Sequence, residues 1–494
     1  MLKMVDGTGI IGVDMICPLG VSTPQPPNYD KVELEGTGML VLPNSLDAPL
    51  ERLELGGKTA EKKQVIQVGE LEQGTVTDHA GNNYPSDYRV RTKSYINLTS
   101  GVYEVMCTGA KLGNVIFYSA ENKYEKMLSE THIPLPIKFT LEENKTVRIL
   151  FSNSESTPIT PADIKNAILE ADVSPEHPQD IVNSGKWNEE TRKYEIDVKI
   201  TGKNLFNREK AKDESNWKRI SGYHNYPIYV GTGNKVTFSY LEKLNTGLPL
   251  YFGVGFRESS ISEYMYHATT PSLIANKKTL TATGDYAYLI VSESNVPAFF
   301  DAIQTFQVEI SPTQTDYAPY KEQTLTLALD QPLRGIGEMK DELSESGILR
   351  RVKSIALNGS EKWYKYENSA FVTMNCYGLK IDDLEARNYS LTTLCNFFKW
   401  ARFPQDIESQ TAHGGYIYFT VPKETYPDLE SFKGWLAKNT PVLEYWLKEP
   451  ALEELSEEDK ASIRALKTYY PTTVITVDGG EVDPDIKVTY RKEI

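Results

Sequence analysis

Cysteine, histidine and long apolar runs are all scarce in this 494-residue chain, and each scarcity removes a class of function. The four cysteines (Cys17, Cys107, Cys376, Cys395) lie far apart, with no Cys-x-x-Cys spacing. That excludes a disulfide framework and a cysteine zinc site, and favours burial as small apolar residues. The six histidines (His79, His132, His177, His224, His267, His413) are scattered, with no pair at metal-ligand spacing. None sits near a serine or cysteine in a strained-turn context. No catalytic residue, metal or cofactor is therefore expected. No run reaches the roughly 18 apolar residues of a membrane helix. Asp6 and Asp14 interrupt any hydrophobic leader, so a signal peptide is not expected. Basic residues are outnumbered, 53 Lys and Arg against 68 Asp and Glu, giving a net charge of −15. Neutralising phosphates needs clustered cations, so a nucleic-acid surface is excluded and the acidity reads as solubility.

What remains is an ordinary globular composition, 40% hydrophobic and 24% charged, in a chain too long for one core. The 27 prolines and 33 glycines are spread along it, as short strands joined by turns require. Gly101–Met106 and Lys235–Tyr240 both alternate like half-buried strands, and four further pairs follow. They are Val115–Tyr118 with Leu250–Val254, Ile137–Thr140 with Lys278–Thr281, Val147–Ser152 with Ala287–Ser292, and Ala167–Glu170 with Phe306–Glu309. The offset stays near about 135–140 residues, which marks a duplicated domain. A fainter third copy is expected from Tyr416–Val421 and Val442–Leu447. Between these, Leu429, Phe432 and Leu436 share one helical face. Ser456 and Asp459 make a capping-box-like start for a second helix through Ile463 and Leu466. Strands at Thr473–Val477 and Ile486–Tyr490 close the chain.

The expected fold is mainly β: tandem antiparallel β-sandwich domains, jelly-roll-like and similar to carbohydrate-binding modules, with a few short helices in the C-terminal module. The expected spans are an extended arm at 1–35 and modules at 36–172, 173–330 and 331–494.

Three motifs weaken on inspection. Gly7-Thr8-Gly9-Ile10-Ile11-Gly12 spells a dinucleotide fingerprint, but only six residues precede it and Pro18 closes off the helix it would need. Gly56-Gly57-Lys58-Thr59 resembles the end of a P-loop, yet Arg52 occupies the earlier glycine position, so a strand end and turn are expected. The acidic turn Asp478–Asp485 lacks calcium-loop spacing and reads as a solvated hairpin tip. Aromatics are the one hint of a ligand: 30 tyrosines against 16 phenylalanines. Tyrosine and tryptophan faces stack on sugar rings, and their polar edges need partners. The densest cluster is Trp217, Tyr223, His224, Tyr226, Tyr229, Tyr264, Tyr266 and His267, and its aromatic members are the candidate carbohydrate platform. Trp363, Tyr364 and Tyr366 form a smaller one.

A family resemblance rests on spaced strings: Ser174-Pro175-Glu176-His177-Pro178-Gln179-Asp180-Ile181, Gly202-Lys203-Asn204-Leu205-Phe206, and Asp316-Tyr317-Ala318-Pro319-Tyr320-Lys321-Glu322-Gln323-Thr324. Leu333-Arg334-Gly335-Ile336-Gly337, Asn358-Gly359-Ser360-Glu361-Lys362-Trp363 and Lys467–Thr473 continue the series. In this order they resemble phage tail minor structural proteins of Gram-positive hosts, over roughly residues 50–494. The resemblance implies a virion location after synthesis in the bacterial cytoplasm, and other tail or baseplate proteins as partners. It further implies a homo-oligomer, trimer favoured, with no membrane insertion and no catalytic residues. Host cell-wall polysaccharide is the expected ligand. The alternatives are an architectural tail spacer without a glycan and, third, a cell-wall glycan hydrolase.

Overall fold

A computed structural model describes residues 5–6, 9–10 and 29–494, less 77–81, 120, 155, 246, 293–295, 368, 386 and 388–389. Within them the protein is mainly β, its named strands paired antiparallel, with four α-helices of which Leu429–Asn439 is the longest. No described helix is long and apolar enough to cross a membrane. Residues 5–6 and 9–10 pair as a short ribbon. The rest of the expected arm up to residue 28 lies outside the described residues.

A central sandwich, here called the hub, is assembled from both ends of the chain and several interior stretches. One sheet joins Lys186–Asn188, Lys193–Gly202, Thr472–Asp478 and Met39–Pro43, with Glu322–Leu329 also paired to Lys193–Gly202. The other runs Tyr29–Thr37, Asp485–Glu493, Arg52–Gly56, Glu342–Ser344, Gly347–Ala356, Val442–Glu453, Thr393–Cys395. Strict alternation builds it. In Lys193–Gly202, Ile196, Val198 and Ile200 enter the core beside Leu327, Leu329, Ile475 and Val477. Asp197, Lys199 and Thr201 therefore face the other way.

This pairing departs from the expected consecutive spans. Tyr29–Thr37 is not arm: it pairs along its whole length with Asp485–Glu493. The last strands, assigned to a third module, belong with Met39–Pro43 and Arg52–Gly56. Alternation reveals that a segment is a strand and which residues face inward; it does not reveal a partner some 450 residues away. Three further cores are threaded into the hub as insertions, centred on Val68–Ala171, Phe206–Val308 and Leu357–Tyr445.

The duplication is visible in the topology. In the first module Ile137–Leu141, Gly101–Thr108 and Lys165–Ala171 are neighbours in that order; in the second, Lys277–Thr281, Lys235–Ser239 and Gln307–Ile310 repeat it. Across the core, Leu112–Tyr118 pairs with Lys145–Ser152 as Tyr251–Gly255 pairs with Tyr286–Ser292. All five sequence pairs thus occupy equivalent places. The third copy does not follow. Tyr416–Pro422 lies in a separate four-stranded sheet with Trp363–Tyr366, Met374–Lys380 and Ser409–His413, whereas Val442–Glu453 joins the hub. Both expected helices form, Leu429–Asn439 capped by Asp428 and Glu457–Arg464 capped by Ser456.

The strings that carry the resemblance gather at the joints between hub and insertions. Lys203 and Asn204, leaving the hub, donate to Asp316 O and to Ala318 O (2.9 Å) on the segment that leads back to it. Asn204 Oδ1 also accepts from Phe206 N (3.0 Å) and Val308 N (3.2 Å), latching the mouth of the second module. His177, buried where the first module returns, hydrogen-bonds Thr99 and Tyr103 (2.7 Å each) and Gln64 (3.0 Å). A side chain at Gly57 would come within 2.5 Å of Arg334 N, so the Leu333–Gly337 loop needs that glycine. Glu361 opens the third module by accepting from Asn358 N, Gly359 N and Trp363 Nε1 at 2.8–3.0 Å. Ser45 and Thr473 clasp Tyr469 in the last string.

Candidate functional site

The predicted aromatic cluster divides when folded. Trp217, Tyr226 and Tyr266 are core residues, 8%, 7% and 0% exposed, and cannot offer ring faces to a sugar. Trp217 packs 5.4 Å from Tyr226 and donates its indole N–H to Ala211 O (2.6 Å). Tyr266 stacks on Phe252 and donates to Asn245 O (2.6 Å). Each buried ring keeps its polar end satisfied, which is how tyrosine and tryptophan enter cores. This corrects their assignment to a platform. The misassignment has a simple origin, because inward and outward tyrosines alternate along one strand and look alike in composition.

Tyr223, Tyr229 and Tyr264 sit on the outward side and remain partly exposed. Tyr264 lies 5.1 Å from His267, which lies 4.7 Å from Tyr251. Burial, followed by the adjacent Tyr223, holds the Tyr264 hydroxyl above its ordinary pKa. Tyr223 and Tyr264 thus meet at one end of the sheet. Tyr229 lies at the opposite end of Tyr223–Tyr229, against the hub.

At that end a groove of about 550 Å³ separates the second module from the outward face of the hub sheet. Its wall carries Pro227, Tyr229 and Tyr286, the last two in edge contact at 5.4 Å, with Tyr286 47% exposed. Tyr226 borders the groove with what little of its surface is exposed. The hub contributes Asp197, Lys199, Thr201, Thr476 and Asp478, with Tyr320 at the joint. These polar groups are pre-positioned. Asp197 and Asp478 are direct cross-strand partners, and Lys186 bridges them. Burial raises the Asp197 pKa, but hydrogen bonds from Lys186 and Thr326 (2.6 Å) outweigh it and hold the carboxyl below its usual range. Lys199 lies 3.4 Å from Glu322, which accepts from the Tyr320 hydroxyl (2.5 Å). On the far wall Asp285 accepts from Thr232 Oγ1 (2.7 Å). The floor is therefore an array of acceptors and fixed donors beside exposed rings.

No protein-family model, curated protein or solved structure matches the chain. The reading of the site rests on its own chemistry.

Among the described residues no group of three or more His, Cys, Asp or Glu side chains is placed to hold a metal. The acidic turn is engaged elsewhere. Asp485 is held down at about 2: burial raises it, and hydrogen bonds from Lys340, Lys58 and Thr37 more than reverse that. Asp483 accepts from Gly479 N (3.0 Å). The turn also crosses from one hub sheet to the other instead of closing a hairpin. Cys376 and Cys395 are buried, and Cys107 is half-buried.

Sequence reasoning missed Tyr286, Asp197 and Asp478 as partners of Tyr229. Tyr286 opens an alternating strand and Asp478 begins the acidic turn, so each had a local signal. Their convergence had none, since it depends on an insertion folding back over the sheet that carries it.

Proposed function

We propose that this chain is a phage tail structural protein that adheres to host cell-surface polysaccharide through the groove between its second module and the hub. The observation that carries this reading is the pairing of Tyr229 and Tyr286 with the carboxylates and lysine of the hub floor. Sugar rings present C–H faces for stacking and hydroxyls for hydrogen bonds, and the groove offers both kinds of partner side by side. Asp197 kept ionised by Lys186 suits acceptance of hydroxyl protons more than proton donation, which favours binding over hydrolysis. Shallow sites of this kind gain strongly from repetition, so the proposal includes a homo-oligomer, trimer favoured, docked on other tail or baseplate proteins.

An architectural spacer is the second reading, favoured by one observation: the strings that resemble those of tail proteins gather at the joints, and of them only Leu205 and Tyr320 also line the groove. Pull-down of the purified chain on intact Gram-positive cells and their isolated wall polysaccharides separates the two. Saturable binding lost on combining Tyr229→Ala with Tyr286→Ala, both outside the core, is the expected result. Binding that is absent, or untouched by these substitutions, favours the spacer.

A further inference from the structure

The third module carries a second aromatic surface with a different construction. Its four-stranded sheet buries one face: Trp363, Tyr377, Leu379, Ile417 and Phe419 pack under Phe432 and Leu436 of helix Leu429–Asn439. The alternation that sends these inward sends Tyr364, Tyr366, Tyr416 and Tyr418 outward. Register brings them together. Tyr364 is opposite Gly378 on the neighbouring strand, and Gly378 is opposite Tyr418 on the next. The flanking strands stand two spacings apart, about 9.6 Å, and a glycine between them leaves the rings room to close over the gap. They do close: Tyr364 meets Tyr416 at 6.0 Å, Tyr366 meets Tyr418 at 5.2 Å, and Tyr416 meets Tyr418 at 5.9 Å. A Cβ at position 378 would lie 3.2 Å from the Tyr418 ring. Cys376, the next outward residue of that strand, is only 1% exposed beneath the rings.

This arrangement is costly to leave bare. Tyr364 and Tyr366 are 49% and 45% exposed, in a continuous patch and not as isolated surface residues. Among the described residues no side chain or backbone group hydrogen-bonds any of the four hydroxyls. The charges at the ends of the strands pair with each other, Lys365 with Glu367 (3.0 Å) and Lys380 with Asp382 (3.9 Å). The patch therefore offers ring faces and open hydroxyls with its bordering charge neutralised. That combination complements an uncharged, polyhydroxylated ligand with flat apolar faces. The surface is a sheet face and not a cavity, which suits contact along a chain.

We propose that Tyr364, Tyr366, Tyr416 and Tyr418, closed over Gly378, form a second binding site, for an uncharged polysaccharide whose sugar rings stack on the tyrosines. The inference shares its ligand class with the reading of the groove and shares none of its residues.

The test uses the full chain with soluble cellohexaose and maltohexaose as probes, by saturation-transfer NMR and calorimetry. Expected is binding of at least one probe, weakened about tenfold by Tyr364→Ala combined with Tyr366→Ala. Tyr364→Phe with Tyr366→Phe keeps the rings, removes two hydroxyls and is expected to weaken binding less. Repeated in the Tyr229→Ala, Tyr286→Ala background, where the groove has lost its rings, the same two substitutions are expected to give the same tenfold loss of the remaining probe binding. Absence of binding to either probe, or binding that survives loss of both rings, overturns the site. So does a fall in oligomeric state on sedimentation of the Tyr364→Ala, Tyr366→Ala variant, which would make the face a contact between copies. Cell binding abolished by the groove pair alone would leave the groove reading standing and remove this one. Cell binding indifferent to both pairs would remove both.

Discussion

The second and third modules use tyrosine in opposite ways. The second is a two-sheet sandwich, and Tyr226, Tyr240 and Tyr266 join Phe252 and Phe299 in its core. The third has one sheet and one helix. The helix covers a single face, so the tyrosines of the other face remain in water. The difference lies in what covers each face of the sheet, and it separates residues that hold the fold from residues free to meet a ligand.

Three measurements sharpen or break that comparison. The largest effect is expected from Tyr266→Ala, which removes a wholly buried ring and should cost about 3–5 kcal/mol in urea denaturation. Tyr366→Ala, at 45% exposure, should stay within about 0.5 kcal/mol. Similar costs for both would erase the distinction between core and surface tyrosines.

The joints should differ next. Asn204→Ala leaves Phe206 N, Val308 N and Ala318 O without their buried partner at the mouth of the second module. A loss of about 1–3 kcal/mol is expected. Glu361→Ala opens the third module, where Asn358 N can turn to water, and should cost about 1 kcal/mol. Limited proteolysis should then release the second module before the third; the reverse order would contradict the latch.

The smallest effect concerns alkaline pH. Burial, followed by nearby Glu322, pushes the Tyr226 hydroxyl up to about 12 from an ordinary 10.0. The unfolded chain therefore loses this proton first. The contribution of Tyr226 is whole below pH 10 and fades as pH rises toward 12. Tyr226→Phe should flatten part of the decline in denaturation midpoint between about pH 10 and pH 12. An unchanged slope would place the hydroxyl in water and return Tyr226 to the candidate platform.

Much of the fold was legible along the chain. The five repeated strand pairs were readable because each strand writes its own alternation, and both C-terminal helices because caps and apolar stripes are local signals. Composition also pointed to tyrosine as the residue of interest. Within the cluster it could not separate Tyr223, Tyr229 and Tyr264 from Trp217, Tyr226 and Tyr266, because burial depends on which face a second layer covers. In the third module Tyr364 and Tyr366 stood out, while Gly378, Tyr416 and Tyr418, which lie on other strands, did not.

By itself, then, the sequence determined the secondary structure, the duplication, and the inward or outward parity of each strand, all set by steric preference and apolar spacing over a few residues. Tertiary structure alone decided that Tyr29–Thr37 would meet Asp485–Glu493 and that Tyr229 and Tyr286 would face Asp197 across a groove. It likewise decided that four tyrosines would close over one glycine. Those outcomes follow from hydrogen-bonding edges finding partners across hundreds of residues, a choice fixed by the burial of whole faces and written in no local stretch of the chain.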